Sequence, residues 1–287
     1  MKQVYSYDEG DGKNKKLLGG KGAGLCEMTS LKLPVPPGFT ITTEVCKKYY
    51  ENNKKLPSSL MGEVKKHIAK IEKKTGKKWN SNQNPLLVSV RSGAAISMPG
   101  MMDTILNLGL NDNTVKGLSE KSNNERFAWD SYRRFIQLFG KVVFGVEDTK
   151  FDKVLNATKE KQGVSEDSAL SVDSLKSIVS QYKEICNKHT GRKFPTDPTE
   201  QLELAIKAVF GSWMGERAQV YREKNNITKD IADGTAVNVV SMAFGNMGND
   251  SATGVVFTRN PGDGTNKIYG EYLINAQGED VVAGLRT

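Results

Sequence analysis

The chain has 287 residues, of which 37% are hydrophobic and 26% are charged. This length predicts two compact units with room for an inserted third, since a typical domain has ~100 to 200 residues. No stretch approaches the ~18 consecutive apolar residues of a membrane span, which excludes that class of protein. The N-terminal segment lacks an apolar stretch of signal-peptide length, so a cytoplasmic location is expected.

The charge balance is basic, with 41 lysines and arginines against 33 acidic residues and a net charge of +8. Such an excess is typical of proteins with anionic partners, either phosphates or nucleic acid. However, lysine pairs such as those at 65–66 and 73–74 alternate with glutamates and apolar residues, which favours solvated helix faces. The cysteines at 26, 46 and 186 lack disulfide or zinc-ligand spacing and are interpreted as reduced thiols.

The first third of the chain mixes turns, strands and one clear helix. Residues 35–42 predict a turn into a strand, because prolines and a glycine precede alternating apolar residues. Leu60 begins a helical apolar pattern that Gly76 ends. The apolar run at 86–90 predicts a buried strand that ends at Arg91.

From 116 to 193 the pattern is helical. Asp173 is predicted to cap one of these helices. Another carries an aromatic stripe on one side and a polar stripe on the other. The aromatic stripe comprises Trp129, Tyr132, Phe135, Ile136 and Phe139, and the polar stripe comprises Arg126, Asp130, Arg133, Arg134 and Gln137.

Asp197 and Pro198 predict the start of a further packed helix. Beyond Gly234 the period falls toward two, and segments 236–242, 254–258 and 268–274 predict strands of one antiparallel sheet. The order of elements predicts an α+β or α/β fold with a mainly helical insertion.

A lysine loop at 17–25, LLGGKGAGL, is the first candidate binding element. Glycines on both sides of Lys21 allow close approach to a ligand, and the apolar run that follows predicts a helix whose N-terminus faces it. It is neither a P-loop, since Lys21 precedes a glycine, nor a dinucleotide fingerprint. The alternative interpretation is an ordinary turn.

Arg91 is the second candidate. It follows a buried strand and precedes small residues and hydroxyls at 92–100, an arrangement suited to phosphate oxygens. The alternative is a salt bridge to a glutamate. Together the two loops predict a site for a nucleotide triphosphate. The methionines at 98, 101 and 102 favour packing over a purine pocket.

Other polar residues give weaker signals. Arg133 and Arg134 lie on the polar side of their helix, which favours side chains that are simply exposed at the protein surface. The carboxylates of Glu271, Glu279 and Asp280 could bind a metal or a ribose, but the sequence specifies neither. Neither histidine has the setting of a catalytic base or a phosphoryl carrier.

Seven segments resemble the nucleotide-binding part of the pyruvate, phosphate dikinase family. Two of them, at 88–111 and 269–287, contain the long and specific motifs MPGMMDTILNLGLN and GEYLINAQGEDVVAG. The others lie at 17–25, 33–42, 127–140, 234–248 and 251–261. The resemblance implies an α+β ATP-grasp fold of two lobes. Residues 1–111 and 197–243 form the first lobe, 112–196 a helical insertion, and 244–287 an incomplete second lobe.

The resemblance also implies roles for individual residues. Lys21 and Arg91 bind ATP phosphates, and Arg134 acts with them in catalysis and, with Glu271, holds the phosphate co-substrate. Loops containing Gly100, Thr253 and Gly254 close over the phosphates, and Glu279 and Asp280 lie near the nucleotide. Mg²⁺ enters with ATP and finds no ligand within this chain.

In that family the whole enzyme interconverts ATP, phosphate and pyruvate with AMP, pyrophosphate and phosphoenolpyruvate. The ATP β-phosphoryl group passes through a pyrophosphoryl step to a carrier histidine on another domain. That histidine, the pyruvate-binding domain and a Gln-x-Arg motif of the ATP site are missing here, so turnover by this chain alone is not expected. Homo-oligomers would form only through the missing domains.

Two other function classes stay open. Pyruvate, water dikinase or another ATP-grasp phosphotransferase shares the lysine and arginine loops but not the longer motifs. A nucleic-acid-binding module would explain the basic charge, but the sequence lacks an interleaved aromatic and basic motif.

Overall fold

The computed structural model describes residues 2–282, including all of their side chains except those of 279 and 282. The elements follow the order β1 (Val4–Ser6), α1 (Lys15–Ser30), β2 (Gly38–Ile41), α2 (Thr43–Glu51), α3 (Leu60–Thr75), β3 (Val88–Gly93), β4 (Thr104–Leu108), α4 (Thr114–Ser122), α5 (Glu125–Phe144), α6 (Asp148–Gln162), a 3₁₀ turn (Asp167–Ala169), α7 (Val172–Thr190), α8 (Pro198–Ser212), α9 (Glu216–Lys224), β5 (Ala236–Ser241), β6 (Ala252–Phe257), β7 (Tyr269–Ile274) and α10 (Gly278–Val282).

Five strands form an antiparallel sheet in the order β1-β2-β5-β3-β4. The central strand β5 pairs with β2, where Asn238 lies opposite Thr40, and with β3, where Asn238 lies opposite Arg91. Side chains of a strand alternate between faces, so these three residues share one face of the sheet. Val237 and Val239 therefore point to the other face.

The two faces of this sheet are covered differently. Val237 and Val239 belong to the large core that the sheet forms with most of the helices. Helix α1 covers the other face through a small cluster that includes Tyr7, Leu18 and Cys26. The polar residues of the shared face, Thr40, Arg91 and Asn238, thus lie on the side of the sheet that α1 covers.

Helix α5 confirms the predicted aromatic stripe. Tyr132, Phe135, Ile136 and Phe139 are fully buried. Phe135 and Phe139 both pack edge-on against Phe194, with ring centroids 6.0 and 5.4 Å from that of Phe194. Burial of each such side chain contributes about 1.5 to 3 kcal/mol, so this stripe anchors the helical segment to the core.

Local capping signals were predicted well in two helices and misplaced in one. Helix α3 begins at Leu60 and ends before Gly76, which adopts a φ of 68°. Asp197 caps α8 by accepting a hydrogen bond from the Thr199 N–H at 3.0 Å. The prediction that Asp173 caps α7 was wrong: the Ser171 hydroxyl does so, and Asp173 lies in the first turn.

The prediction of a single C-terminal sheet was also wrong. β5 joins the five-stranded sheet, whereas β6 and β7 pair only with each other. This hairpin leaves large apolar side chains open to solvent, with Ile268 81% and Tyr272 72% exposed. The architecture is therefore mixed α+β, with helices packed on antiparallel sheets. None of the helices within residues 2–282 is long and apolar enough to cross a membrane.

Candidate functional site

The predicted lysine loop is a kink within helix α1. Gly19 breaks the helix with φ and ψ of 69° and 165°. The next residue, Gly20, donates its N–H to the Ala94 carbonyl at 2.8 Å. Lys21 thus lies in the first turn of the second helical stretch, and the interpretation of residues 17–25 as an open loop was wrong.

Helix α1 lies very close to the sheet at a second glycine. A Cβ on Gly22 would lie 2.7 Å from Thr40 Oγ1 and 2.9 Å from Asn238 Oδ1. The Thr40 hydroxyl donates to Asn238 Oδ1 at 2.8 Å, which fixes this polar pair under the helix. Only a glycine permits this approach, and it sets the height of Lys21 above the sheet.

Lys21 and Arg91 are neighbours on the same side of the sheet. Arg91 lies within β3 rather than at its end, because the strand continues to Gly93. The pKa of Lys21 lies below its ordinary value, since the surrounding protein removes hydration and the Arg91 guanidinium adds a second positive charge. Within residues 2–282 neither cation forms a salt bridge, so the alternative of an Arg91–glutamate pair is not found.

Beside Arg91 opens a cleft of about 1110 Å³. Its walls come from three parts of the chain: β3 and β4, the helices α5 and α6 with the 3₁₀ turn, and residues 242–280 at the hairpin. The polar residues that line it include Arg91, Thr104, Arg126, Asp130, Arg133, Arg134, Gln137, Lys141, Asp148, Asp152, Asp167, Asn246, Thr253, Asn275, Gln277 and Asp280. The cleft is large enough for a nucleotide-sized ligand.

Arg134 spans the cleft wall between α5 and α10. Its Nε contacts Asp130 Oδ2 at 3.1 Å, and its Nη1 contacts Asp280 Oδ1 at 3.2 Å. Burial alone would lower the pKa of Arg134, but Asp130 and Asp280 outweigh burial and raise it. Arg134 is therefore a fixed cation that holds the C-terminal segment against the helical part.

Arg133 is buried beside it, with 2% of its surface exposed. Its guanidinium contacts Asp130 Oδ1 at 2.8 Å and Asp167 Oδ2 at 3.3 Å. The interpretation of Arg133 and Arg134 as surface display was wrong, because the polar stripe of α5 faces the cleft and the 3₁₀ turn. Although burial raises the pKa of Asp130, these two arginines outweigh it and hold that pKa below its usual value.

The remaining predicted site residues divide into two groups. Thr253 and Asp280 line the cleft with Arg91 and Arg134. Gly100, Gly254 and Glu271 lie in the described part of the chain but not among the lining residues. Gly100 occupies the loop between β3 and β4 with a φ of 72°, and Gly254 and Glu271 lie on the β6–β7 hairpin. The Glu279 side chain lies outside the described part of the structure.

Several lining residues were missed as site residues. The sequence places Arg126 and Gln137 in the polar stripe of α5 but gives them no role, and it gives none to Asn246 and Gln277. Asn246 lies in a predicted turn, and Gln277 lies inside the motif at 270–284. The available signal for Gln277 was its position inside this long and specific motif.

No group of three or more His, Cys, Asp or Glu side chains within residues 2–282 is arranged to hold a metal ion. The cleft carboxylates of Asp130, Asp167 and Asp280 are already engaged by arginines. These residues therefore do not by themselves fit a resident Mg²⁺.

The fold and the cleft define a mixed α+β domain whose arginine-rich cleft adjoins a glycine-kinked lysine helix. The family model described as pyruvate phosphate dikinase, AMP/ATP-binding domain, matches residues 15–61 and 53–287. The chain belongs to this family.

Three curated relatives match the chain over its whole length. Pyruvate, phosphate dikinase of Entamoeba histolytica is 60% identical to it over 287 residues, which are 32% of that protein. The Clostridium symbiosum enzyme is 53% identical over 33% of its length, and the chloroplastic enzyme of Flaveria pringlei is 54% identical over 30%. The chain thus spans about a third of the length of these relatives.

Proposed function

We propose that this chain forms the nucleotide- and phosphate-binding part of a pyruvate, phosphate dikinase. Its fold is then of the ATP-grasp type, with a first lobe at 1–111 and 197–243, a helical insertion at 112–196, and the beginning of a second lobe at 244–287. Family membership and identities of 53% to 60% to named dikinases support this proposal.

The observation that carries the proposal is the pairing of Lys21 and Arg91. Two neighbouring cations repel each other unless an anion lies between them, and none of the described carboxylates fills this role. A polyphosphate with several charged oxygens removes this repulsion and gains charge-assisted hydrogen bonds. Arg91 also lines the cleft, whereas Lys21 is not among the lining residues; a nucleotide whose phosphates bind Arg91 would reach Lys21 through the closeness of the two cations.

The other residues take supporting roles in this proposal. Arg134, held by Asp130 and Asp280, contributes a fixed positive charge for the phosphate co-substrate, together with Glu271. Gly100, Thr253 and Gly254 belong to segments that close over the phosphates, and Glu279 and Asp280 lie near the nucleotide. Mg²⁺ would enter with ATP and supply charge neutralisation.

In the whole protein we propose interconversion of ATP, phosphate and pyruvate with AMP, pyrophosphate and phosphoenolpyruvate. The β-phosphoryl group would leave this domain on a histidine carried by another domain. Phosphoryl transfer requires mainly that oxygens be positioned and developing charge be neutralised. Lys21, Arg91 and Arg134 provide these two functions. A cytoplasmic location and oligomers formed through other domains stay predictions.

Calorimetric titration of the chain with Mg-ATP tests the proposal. We expect Arg91→Ala to weaken nucleotide binding by at least about tenfold, the loss of one charge-assisted contact. Arg192→Ala is the matched control, because Arg192 lies outside the cleft lining, packs over the Phe144 ring and should leave binding unchanged. Equal affinities of the wild-type and Arg91→Ala chains would contradict the proposal.

A further inference from the structure

Gln277 is a buried amide in the cleft wall for which the described part of the chain supplies no hydrogen-bond partner. Only 4% of its surface is exposed, and neither Nε2 nor Oε1 has a partner within residues 2–282. Buried amides are nearly always satisfied, so an unsatisfied one beside a cleft points to a ligand or an ordered water as its partner.

The contrast with Gln201 shows what a structural glutamine does in this protein. Gln201 is fully buried, its Oε1 accepts from the Gly109 N–H, and its Nε2 donates to the carbonyls of Leu110 and Pro195. Its amide connects three backbone segments. The Gln277 amide connects none, although its own backbone is fixed.

The Gln277 backbone is fixed beside the Arg134–Asp280 ion pair of the cleft. Its N–H donates to Asp280 Oδ2 at 2.9 Å, and Asp280 Oδ1 contacts Arg134 at 3.2 Å. Asn246, another lining residue, carries a buried Oδ1 that has no partner among the described residues. The unsatisfied amide therefore lies in a wall that also presents an arginine.

A ligand that satisfies Gln277 must accept one hydrogen bond and donate another. Arg91 lines the same cleft and forms no salt bridge within residues 2–282, so the ligand should also be an anion. Inorganic phosphate meets all three conditions, because at neutral pH it keeps one P–OH group beside its charged oxygens. Sulfate has the same shape but no proton at this pH, so it would leave Gln277 Oε1 unsatisfied.

We propose that Gln277 binds inorganic phosphate by donating to a charged oxygen and accepting from its P–OH, and that it thereby selects phosphate over sulfate. This inference rests on the proposed function, since it assigns a specificity-determining residue to the phosphate co-substrate. An adenine base also presents a donor beside an acceptor, but it carries no charge to match Arg91 in the same cleft.

Thermal unfolding of the chain with phosphate, sulfate or adenosine tests the inference. We expect phosphate to raise the Tm of the wild-type chain at concentrations roughly tenfold or more below those of sulfate. Gln277→Met should unfold at or above the wild-type Tm without anion, because an apolar side chain removes an unsatisfied amide. It should also lose the phosphate preference, whereas the exposed Gln219→Met control should keep it.

Three outcomes would overturn the inference. The first is an equal effect of phosphate and sulfate on the Tm of the wild-type chain. The second is a lower Tm of Gln277→Met together with an unchanged preference for phosphate. The third is that Gln277→Met loses only the effect of adenosine on its Tm. Failure of the proposed function is distinguishable, because it appears as unchanged Mg-ATP binding in Arg91→Ala. The phosphate and sulfate measurements on Gln277→Met do not depend on that result.

Discussion

Gly19 packs directly against the backbone of Gly93, so closely that a Cβ on Gly19 would lie 1.8 Å from the Gly93 carbonyl oxygen. Gly19 also has a φ of 69°, which a residue with a side chain adopts only with strain. This contact joins the kink of α1 to the strand that carries Arg91. It therefore sets the distance between the helix of Lys21 and the strand of Arg91.

The first prediction concerns this contact. Gly19→Ala should lower the free energy of unfolding by at least about 2 kcal/mol, because it adds both a steric clash and a disfavoured φ. It should also weaken Mg-ATP binding by moving Lys21. Urea unfolding and calorimetry measure the two effects.

Gly24→Ala is the matched control for that change. Gly24 lies in the same helix with nothing within 4 Å of an added Cβ. Alanine is the better helix former by about 1 kcal/mol, so this variant should be more stable than the wild type. A similar loss of stability in both variants would contradict the role given to the Gly19–Gly93 contact.

The second prediction concerns the buried carboxylate between Arg133 and Arg134. Asp130→Asn keeps the shape but removes the charge that compensates both guanidinium groups. Breaking such a buried pair costs about 3 to 5 kcal/mol, since the remaining charges stay desolvated. Urea unfolding should show this loss.

An exposed ion pair serves as its comparison. Asp148, whose side chain is 41% exposed, pairs with Lys141 at the same cleft. Asp148→Asn should change stability by less than about 1 kcal/mol, because water screens the pair. If the two aspartate variants lost equal stability, Asp130 would not have the role described.

The parts of the fold that sequence predicted are those that local signals encode. Asp197 and Pro198 mark the start of α8 within one turn, and Gly76 ends α3 by the same kind of local rule. Contacts between distant residues have no such signal. Arg134 and Asp280 are 146 residues apart in sequence, so nothing in the α5 pattern could show that its polar stripe faces a cleft.

The conformation of the glycine-rich segment at 17–25 likewise depends on contacts with distant residues. Glycine disfavours helices, and propensity alone predicts a loop there. The helix forms because Gly19 and Gly22 allow it to lie on the sheet, and contacts with Thr40, Gly93 and Asn238 override the propensity. These partners lie up to 216 positions away from Gly22, beyond any local pattern.

The third prediction concerns pH. Glu9 contacts Lys70 at 2.6 Å and Lys2 at 3.0 Å. Burial raises its pKa, but hydrogen bonds from both lysines and from the Ser6 N–H outweigh burial and lower the pKa from 4.5 to about 2. A carboxyl whose pKa is depressed on folding adds stability above its unfolded pKa and loses it as the pH falls through its folded pKa.

We therefore expect Glu9→Gln to be less stable than the wild type at pH 6, with the difference shrinking between about pH 4.5 and pH 2. Urea unfolding at a series of pH values measures it. Glu51→Gln is the control, since Glu51 is exposed and forms no ion pair within the described part of the chain. A Glu9→Gln difference that stays constant down to pH 2 would exclude the linkage.

The last prediction separates binding from stability at the pair of cations. Arg91→Met removes one of two neighbouring positive charges while keeping an apolar stem over the sheet. Because Arg91 lowers the pKa of Lys21, its removal should raise that pKa, and the unliganded chain should be as stable as the wild type or slightly more so. Nucleotide binding should fall nonetheless, since the polyphosphate loses a charged partner.

Three measurements on Arg91→Met follow these effects. NMR titration gives the pKa of the Lys21 ammonium, urea unfolding gives the stability, and calorimetry gives the affinity for Mg-ATP. A residue that served only the fold would give the opposite pattern, with lower stability and an unchanged Lys21 pKa. An increase in the Lys21 pKa together with weaker nucleotide binding would show that the two cations act on one anion. Retained binding with an unchanged pKa would mean that they do not.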